Sequence, residues 1–524
     1  MNIFGIGKNK THRRRLSSVR GAAPKPTVRR LPARPARPRG RRSAALRYFD
    51  SAVTDRLTAG WTTTPKSADD VVRECLRTLR ARSREQVCNN DYAKKFTAMV
   101  KGNVVGPRGA VLTAMCVGMS GKPDYLANQC IEENWREWCE DFCDIEGQNN
   151  WLDQQRLFVG AVAEDGESLL RHYTGRFAGK YQYATQLIDP ETLDVDHNED
   201  GRSGASIKMG MEFNRYNQRT AYYLRTDSKD STHIGPYGRR YHRVPASDIE
   251  HAFLPDRVGQ SRGLPWMGAS LARMQMLDGF EDSALVAARA GANNLFSIIG
   301  DDGDSYAGES DGSGGTYMDT EPGSVNRFDA GTEIQMHDPA YPHGEFGSFV
   351  KSILRGISAG LLVSYNSLAN DLEGVNFSSL RAGAIEERDV WMMLQEVVLI
   401  ARLCRPVYNH WLKRALLSGE LTINGKPLKQ SRIRKYSKVQ FNAHRWPWVD
   451  PLKDVNASEK AISMCLTTYT REAAKLGSNF HDNVRQQQLE REAMAAAGIT
   501  SEQALTGNSG NGKEAGDGGQ DADN

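Results

Sequence analysis

Apolar residues recur every three or four positions after Ser67: Val72, Leu76 and Leu79 share one face of a helix predicted over Asp69–Arg84, with Ser67 as its N-cap. A second helix is predicted from about Asn90 to Lys101, and a third from Tyr125 to Cys143 with Trp135, Trp138 and Phe142 as its apolar side. Helical spacing continues over Trp151–Gly160. The rhythm then shortens. Ser168–Tyr173, Tyr181–Ile188, Ser206–Phe213, Thr220–Leu224 and Asp248–Phe253 are β-prone runs separated by Gly, Asn, Asp and Pro, which predicts a mainly antiparallel sheet.

Gly263-Leu264-Pro265 sets the start of a long helix, because proline suits a first helical turn. Met267, Leu271, Met274, Leu277, Phe280, Ala284 and Ala288 keep helical spacing up to Gly291, a rod of roughly 37 Å at about 1.5 Å per residue. Residues 297–344 break the pattern with Gly, Asp, Ser and Pro and strand-like pieces at Phe296–Ile299 and Glu333–Met336, a small inserted module. Helix returns over Phe346–Val363, where Phe349, Val350, Ile353, Leu354, Ile357, Leu361 and Leu362 face one way. A polar, Asn- and Ser-rich segment, Tyr365–Ser379, leads to a further helix at Leu380–Leu417.

With 39% hydrophobic and 25% charged residues and a mean hydropathy of −0.57, the 524 residues make a soluble chain of about three to four domains, or fewer large ones. A fully disordered chain, a disulfide-stapled miniprotein and a membrane-embedded protein are excluded, and no apolar run reaches the roughly 18 residues of a spanning helix. The formal net charge of +4 conceals an asymmetry. Residues 1–47 hold fifteen Lys or Arg, among them Arg13, Arg14, Arg15, Arg29, Arg30, Arg41 and Arg42, and no acid. Residues 48–524 keep 53 of the 68 basic side chains against all 64 acidic ones, a net of −11. The arm, interrupted by five prolines, cannot bury enough apolar surface to offset ordering entropy, so it is expected to be disordered when free and to meet phosphate, an acidic protein face or an anionic membrane surface. Residues 501–524 carry five acids against Lys513 and read as a flexible tail.

Candidate chemistry is sparse. Walker A, GxGxxG, HExxH and EF-hand patterns are absent. Gly356-Ile357-Ser358-Ala359-Gly360 matches G-x-S-x-G, but that nucleophile elbow needs a strand-to-helix turn and 346–355 reads as helix; close helix packing is the simpler reading and a serine hydrolase through Ser358 the alternative. Eight cysteines include no C-x-x-C pair, and Cys139 with Cys143 on one helical face would supply at most two zinc ligands, so reduced thiols are expected. Asp301, Asp302 and Asp304 sit in a Gly/Ser-rich loop, as solvated charge or as a weak divalent-cation site. His242 and His251, near Asp248 and Glu250, hint at a nuclease-like site, and the arm leaves open a nucleic-acid-binding protein or nucleic-acid enzyme. Trp446-Pro447-Trp448 reads as a cap on the core or as an aromatic contact to a partner. No catalytic residue, metal or cofactor is assigned.

Three blocks carry a resemblance. Arg257-Val258-Gly259-Gln260-Ser261-Arg262-Gly263-Leu264-Pro265-Trp266, Val363–Leu368 with Asp371–Arg381, and Trp448–Lys453 before an Ala-rich helix resemble, in residues and in order, the lambda-type portal proteins of tailed bacteriophages. The likeness covers about residues 45–500. It implies an α+β portal fold: a basic arm at 1–47, a wing at 48–262, a first stem helix at 263–295, a clip at 296–344, a second stem helix at 345–364, a channel loop at 365–380, a wing helix and crown at 381–500, and a tail at 501–524. It further implies a twelve-subunit ring at one capsid vertex of the virion, assembled in the host cytoplasm, that passes double-stranded DNA of any sequence. The implied partners are the terminase large subunit, a head-completion or tail adaptor protein, and the major capsid and scaffold proteins, with no membrane.

In that frame Leu271, Met274 and Leu277 would pack on Ile353, Ile357 and Leu361 within the stem. The loop would face DNA with Asn366, Ser367, Asn370, Asn376, Ser378 and Ser379 as neutral groups, Asp371 and Glu373 as repelling charges, and Arg381 as the single nearby cation. A channel that must not hold DNA needs such a surface, because each Lys or Arg phosphate contact adds affinity. The acidic body would centre the duplex by repulsion. Strands such as Phe296–Ile299 would pair between neighbouring clips, and 303–315 would be mobile.

Overall fold

The computed structural model describes residues 59–118, 121–200, 205–226, 241–293, 346–373, 377–446 and 451–496 except 477 and 479, together with Arg56 and four short strands at 296–299, 309–310, 316–317 and 333–336. The basic arm, the tail, Asp301, Asp302, Asp304, Asn376, Trp448 and most of 303–315 lie outside the described residues.

Ser67 caps α1 (Ala68–Asn89) by accepting from the Asp70 amide, and the helix outruns its apolar pattern because Ser83 and Gln86 extend the buried face. Asn90 Oδ1 accepts from Tyr92 N and Ala93 N at 3.1 Å each, capping α2 (Asp91–Val100). A wider π turn, Lys101–Val105, follows. After β1 (Val111–Ala114), α3 (Tyr125–Glu140) ends at Asp141, earlier than expected. Trp135 and Trp138 are buried as expected, whereas Phe142 lies beyond the helix and is 67% exposed. α4 (Trp151–Asp165) then runs to Gly166, which closes it at φ 87.

The expected antiparallel region is two sheets. β2 (Glu167–Thr174) lies between β3 (Tyr183–Ile188) and β9 (Ile249–Phe253), with Leu170 opposite Leu187 on one side and Glu250 on the other. A meander joins β4 (Glu199–Asp200), β5 (Ser206–Lys208), β6 (Met211–Phe213), β7 (Arg219–Arg225) and β8 (Tyr241–Pro245) in sequential order. The single strand expected over Ser206–Phe213 is a hairpin, because Met209 and Gly210 both take positive φ. β8 escapes the sequence pattern: Val244 is its one buried residue. Leu169, Met211, Tyr222, Leu224 and Val244 form a core of their own.

α5 (Leu271–Asn293) starts later than Pro265, because Trp266 N donates to Ala163 O at 3.1 Å and the chain turns through 266–270 first. Next come β10 (Phe296–Ile299), β11 (Glu309–Ser310), β12 (Thr316–Tyr317) and β13 (Glu333–Met336). β10 pairs with β13 and β11 with β12, each antiparallel within the chain, so the strand expected to pair between subunits already has an internal partner.

α6 (Phe346–Leu361) ends where Leu362 turns left-handed at φ 58, which leaves Leu362 in solvent rather than on the apolar face. The short α7 (Tyr365–Ala369) precedes a long rod made of α8 (Phe377–Leu394), a π segment (Gln395–Cys404) and α9 (Arg405–Ser418). The chain finishes with β14 (Thr422–Ile423), β15 (Lys426–Pro427), α10 (Ile433–Tyr436), β16 (Val439–Asn442), which pairs with β1, and helices α11 (Pro451–Ser463), α12 (Tyr469–Lys475) and α13 (Phe480–Ala496).

The rod is the spine of the main core. Trp135, Trp138 and Trp151 interlock with Tyr408 and Trp411 of the rod itself, with Trp135 edge-on to Trp411 at 5.1 Å. Leu271, Met274 and Leu277 of α5 and Ile357 and Leu361 of α6 are buried in the same core, with Ile353 packed against it. Burying such side chains contributes about 1.5–3 kcal/mol each.

Candidate functional site

The segment expected to be one loop is helical at both ends. Ser364 Oγ accepts from Ser367 N at 3.3 Å and caps α7. Its hydroxyl donates to Ser367 Oγ at 2.6 Å, and Ser367 Oγ donates to Glu387 of α8 at 3.1 Å. Trp391 Nε1 donates to the same carboxylate at 3.2 Å. Asn370 stops α7 in the left-handed region at φ 54, a conformation Asn tolerates. Ser378 and Ser379, expected in the loop, belong to α8 instead.

The two acids are not free. Lys351 of α6 reaches Asp371 at 3.2 Å and Glu373 at 2.9 Å. Tyr365 OH donates to Asp371 Oδ2 at 2.7 Å and Glu373 N to Asp371 Oδ1 at 2.9 Å. The Tyr365 hydroxyl, the Glu373 amide and Lys351 together hold the Asp371 carboxyl down to about 2. On the other side Lys95 of α2 donates to Asn370 Oδ1 at 3.0 Å. The segment is thus strapped to two helices by lysines absent from its own sequence, over a shallow cavity of about 470 Å³ lined by Asn366, Ser367, Asn370 and Glu387. Leu372, 65% exposed, stands at its tip. Arg381 is partly buried in the first turns of α8.

A second cluster fixes the approach to α5. Arg262 is fully buried. Its Nε donates to both oxygens of Glu167 at 2.8 Å, and its Nη1 donates to Leu193 O at 3.1 Å and Met209 O at 2.9 Å. Glu167 also accepts from Arg80 Nη2 at 2.8 Å, His251 Nε2 at 2.9 Å and Gly263 N at 3.2 Å. One carboxylate therefore ties α1, β2 and β9 to the approach to α5. Burial works to raise its pKa, but Arg262 beside it prevails and holds it well below the usual range. Burial pushes His251 down to about 4, leaving it neutral with the proton on Nε2 while Arg219 faces Nδ1 at 3.5 Å. Gly166 and Gly263 permit the approach, since a Cβ on Gly263 would strike the Gly166 carbonyl.

The remaining candidates resolve differently. Ser358 is buried inside α6 and donates to Leu354 O, which removes it as an exposed nucleophile. A Cβ on Gly356 would strike Arg273, and one on Gly360 would strike Ser270, so the small residues serve close packing of α6 on α5. Cys143 lies off α3, and Cys139 and Cys143 form no metal-ligating group among the described residues. His242 is exposed while His251 is buried against Glu167, so that pair does not converge. Instead His172, Glu250 and His410 come together. The two rings stack at 3.9 Å and 12°, and an ion lying in the plane of one would lie outside the plane of the other. Trp446 donates to Asn103 Oδ1 at 2.7 Å and packs against the core, as a cap does.

Fold and clusters define a helix-and-sheet body whose polar groups hold segments in place. The chain belongs to the lambda family of phage portal proteins: the family model described as "Phage portal protein, lambda family" matches residues 54–395. It is 30% identical over 438 residues to the "Probable portal protein" of Halomonas phage phiHAP-1, covering 82% of this chain and 83% of that one. It is 22% identical over 487 residues to "Portal protein B" of Escherichia phage lambda, covering 84% and 88%. Among solved structures, the neck of a native gene transfer agent particle computed with C12 symmetry has a TM-score of 0.41 and 11% identity, covering 77% of this chain and 94% of that one. Phage portal proteins are structural components of the virion.

Proposed function

We propose that copies of this chain, twelve to a ring, close a channel at one capsid vertex through which duplex DNA is packaged and later ejected. In this reading α5 and α6 are the stem. The segment 296–344 between them is the clip, on which the terminase large subunit and then a head-completion or tail adaptor protein dock. The ring assembles in the host cytoplasm among major capsid and scaffold proteins. Residues 365–381 face the DNA.

The observation that carries this reading is the state of the lysines beside the segment. Lys95 is engaged by Asn370, and Lys351 by Asp371 and Glu373. A duplex sliding past meets a folded, nearly charge-balanced surface that offers it little anchorage, as translocation of any sequence requires. Negative-stain images of the purified chain should show rings with a central hole. Packaging assays on Arg381→Ala and on a deletion of 371–377 test the segment itself: loss of packaging or of genome retention is expected, and wild-type behaviour of both variants would remove its role.

A further inference from the structure

Residues 421–449 contain seven Lys or Arg and no Asp or Glu, within a body whose net charge is −11. The run folds as the β14–β15 hairpin, turned by Asn424 and Gly425 at φ 50 and 74, followed by α10 and β16. Lys426, Lys429, Arg432, Arg434 and Lys438 are all exposed, and none is in an ion pair among the described residues. Lys435 alone is neutralised, by Asp124 of the loop before α3.

A run of like charges is ordinarily a solvated face, and two features set this one apart. Among the described residues no large apolar side chain is exposed between Leu417 and Val455. A protein partner needs an apolar or aromatic anchor at the centre of its interface, whereas contacts to nucleic acid are polar and strongly positive. Here Gln430 and Ser431 are exposed between the cations as further donors to phosphate oxygens. The second feature is position. The segment meets the rod at Glu387, whereas the patch adjoins it at Tyr408, whose hydroxyl donates to Tyr436 O at 2.8 Å, and at about 1.5 Å per residue the stretch between them is roughly 30 Å. These cations do not stand where sliding DNA would have to pass the segment.

We propose that the patch is a binding surface for the phosphate backbone of duplex DNA, indifferent to sequence, at the end of the rod remote from the strapped segment. It holds DNA that is not in transit. The test is a salt titration of the full chain with two fluorescent duplexes of unrelated sequence, compared with the triple variant Lys429→Gln, Arg432→Gln, Arg434→Gln. The same pair is repeated with Arg13, Arg14, Arg15, Arg29, Arg30, Arg41 and Arg42 changed to Gln, so that the arm does not mask the patch. In both backgrounds the slope of log K against log salt should fall by about 2.7 for each subunit engaged, about 0.9 per lost contact. Affinity at about 0.15 M salt should drop roughly tenfold or more, equally for the two duplexes. The three side chains are exposed, so thermal unfolding should not change. An unaltered slope, a preference for one duplex, or tighter capture of polyglutamate than of DNA would overturn the proposal.

Discussion

Glu167 and Asp371 are both carboxylates held below their ordinary range, and their surroundings differ in almost every other respect. Glu167 has no exposed surface and is clasped by Arg262, Arg80, His251 and the Gly263 amide. Asp371 stands at the surface, held by Tyr365, Lys351 and the Glu373 amide. The first site is closed to solvent, so removing one partner strands a buried charge. Water surrounds the second, where Coulomb attraction is weak and salt screens it beyond about 8–10 Å. The difference separates two mechanical needs: a joint that fixes where α5 begins, and a strap that keeps the neighbouring segment ordered while leaving it free to yield.

The largest effect is expected at the joint. Glu167→Ala should cost about 3–5 kcal/mol, because Arg262 and Arg80 are left buried without a counter-charge. Thermal unfolding would read this as a large fall in Tm or a chain that does not fold. A variant that melts with the wild type would break the comparison.

Acid should separate the two regions next. Burial holds His251 and His410 near 4 against an ordinary 6.5, so between those values the unfolded state binds more protons than the folded one. Stability should therefore decline as pH falls from about 6.5 to about 4. Glu167 and Asp371 have values lowered from an ordinary 4.5 and 3.8, so their contributions begin to be lost only at the acid end of that window and go mainly in stronger acid. Tm measured against pH should slope in this range, less steeply in His410→Phe and unchanged in steepness in Lys351→Ala. A Tm flat down to pH 4 would contradict the burial argument.

Gly263→Ala forces a Cβ into the Gly166 carbonyl and should cost about 1–3 kcal/mol, a smaller loss of Tm than at Glu167. The smallest effect on stability belongs to the strap. Lys351→Ala should leave Tm within error yet speed amide exchange over 364–373, with the difference shrinking in about 1 M salt. Unchanged exchange would show that Lys351 does not order the segment.

Much of this was legible in the residues. Ser67 announced its helix, the Leu271, Met274 and Leu277 face proved to be core, and the strand region is antiparallel. What could not be read were pairings across sequence distance. Arg262 lies within a motif that carries the family resemblance, but its partner Glu167 sits 95 residues upstream on another element. Asp371 and Glu373 read as free charges because Lys351 belongs to the preceding helix and returns only when the chain folds back. Helix ends shifted for the same reason: Trp266 bonds to Ala163 rather than opening α5. Local pattern predicts faces and caps, and tertiary contacts decide ends and charge states.

The central claim is that the strapped segment lies on the inner wall of a ring. A gold cluster attached to Leu372→Cys, in a chain whose exposed Cys88 and Cys465 are changed to Ser, would locate the segment in axial electron-microscope views. The account predicts label within the central hole of every ring, and label at the outer rim, or particles without a ring, would contradict it.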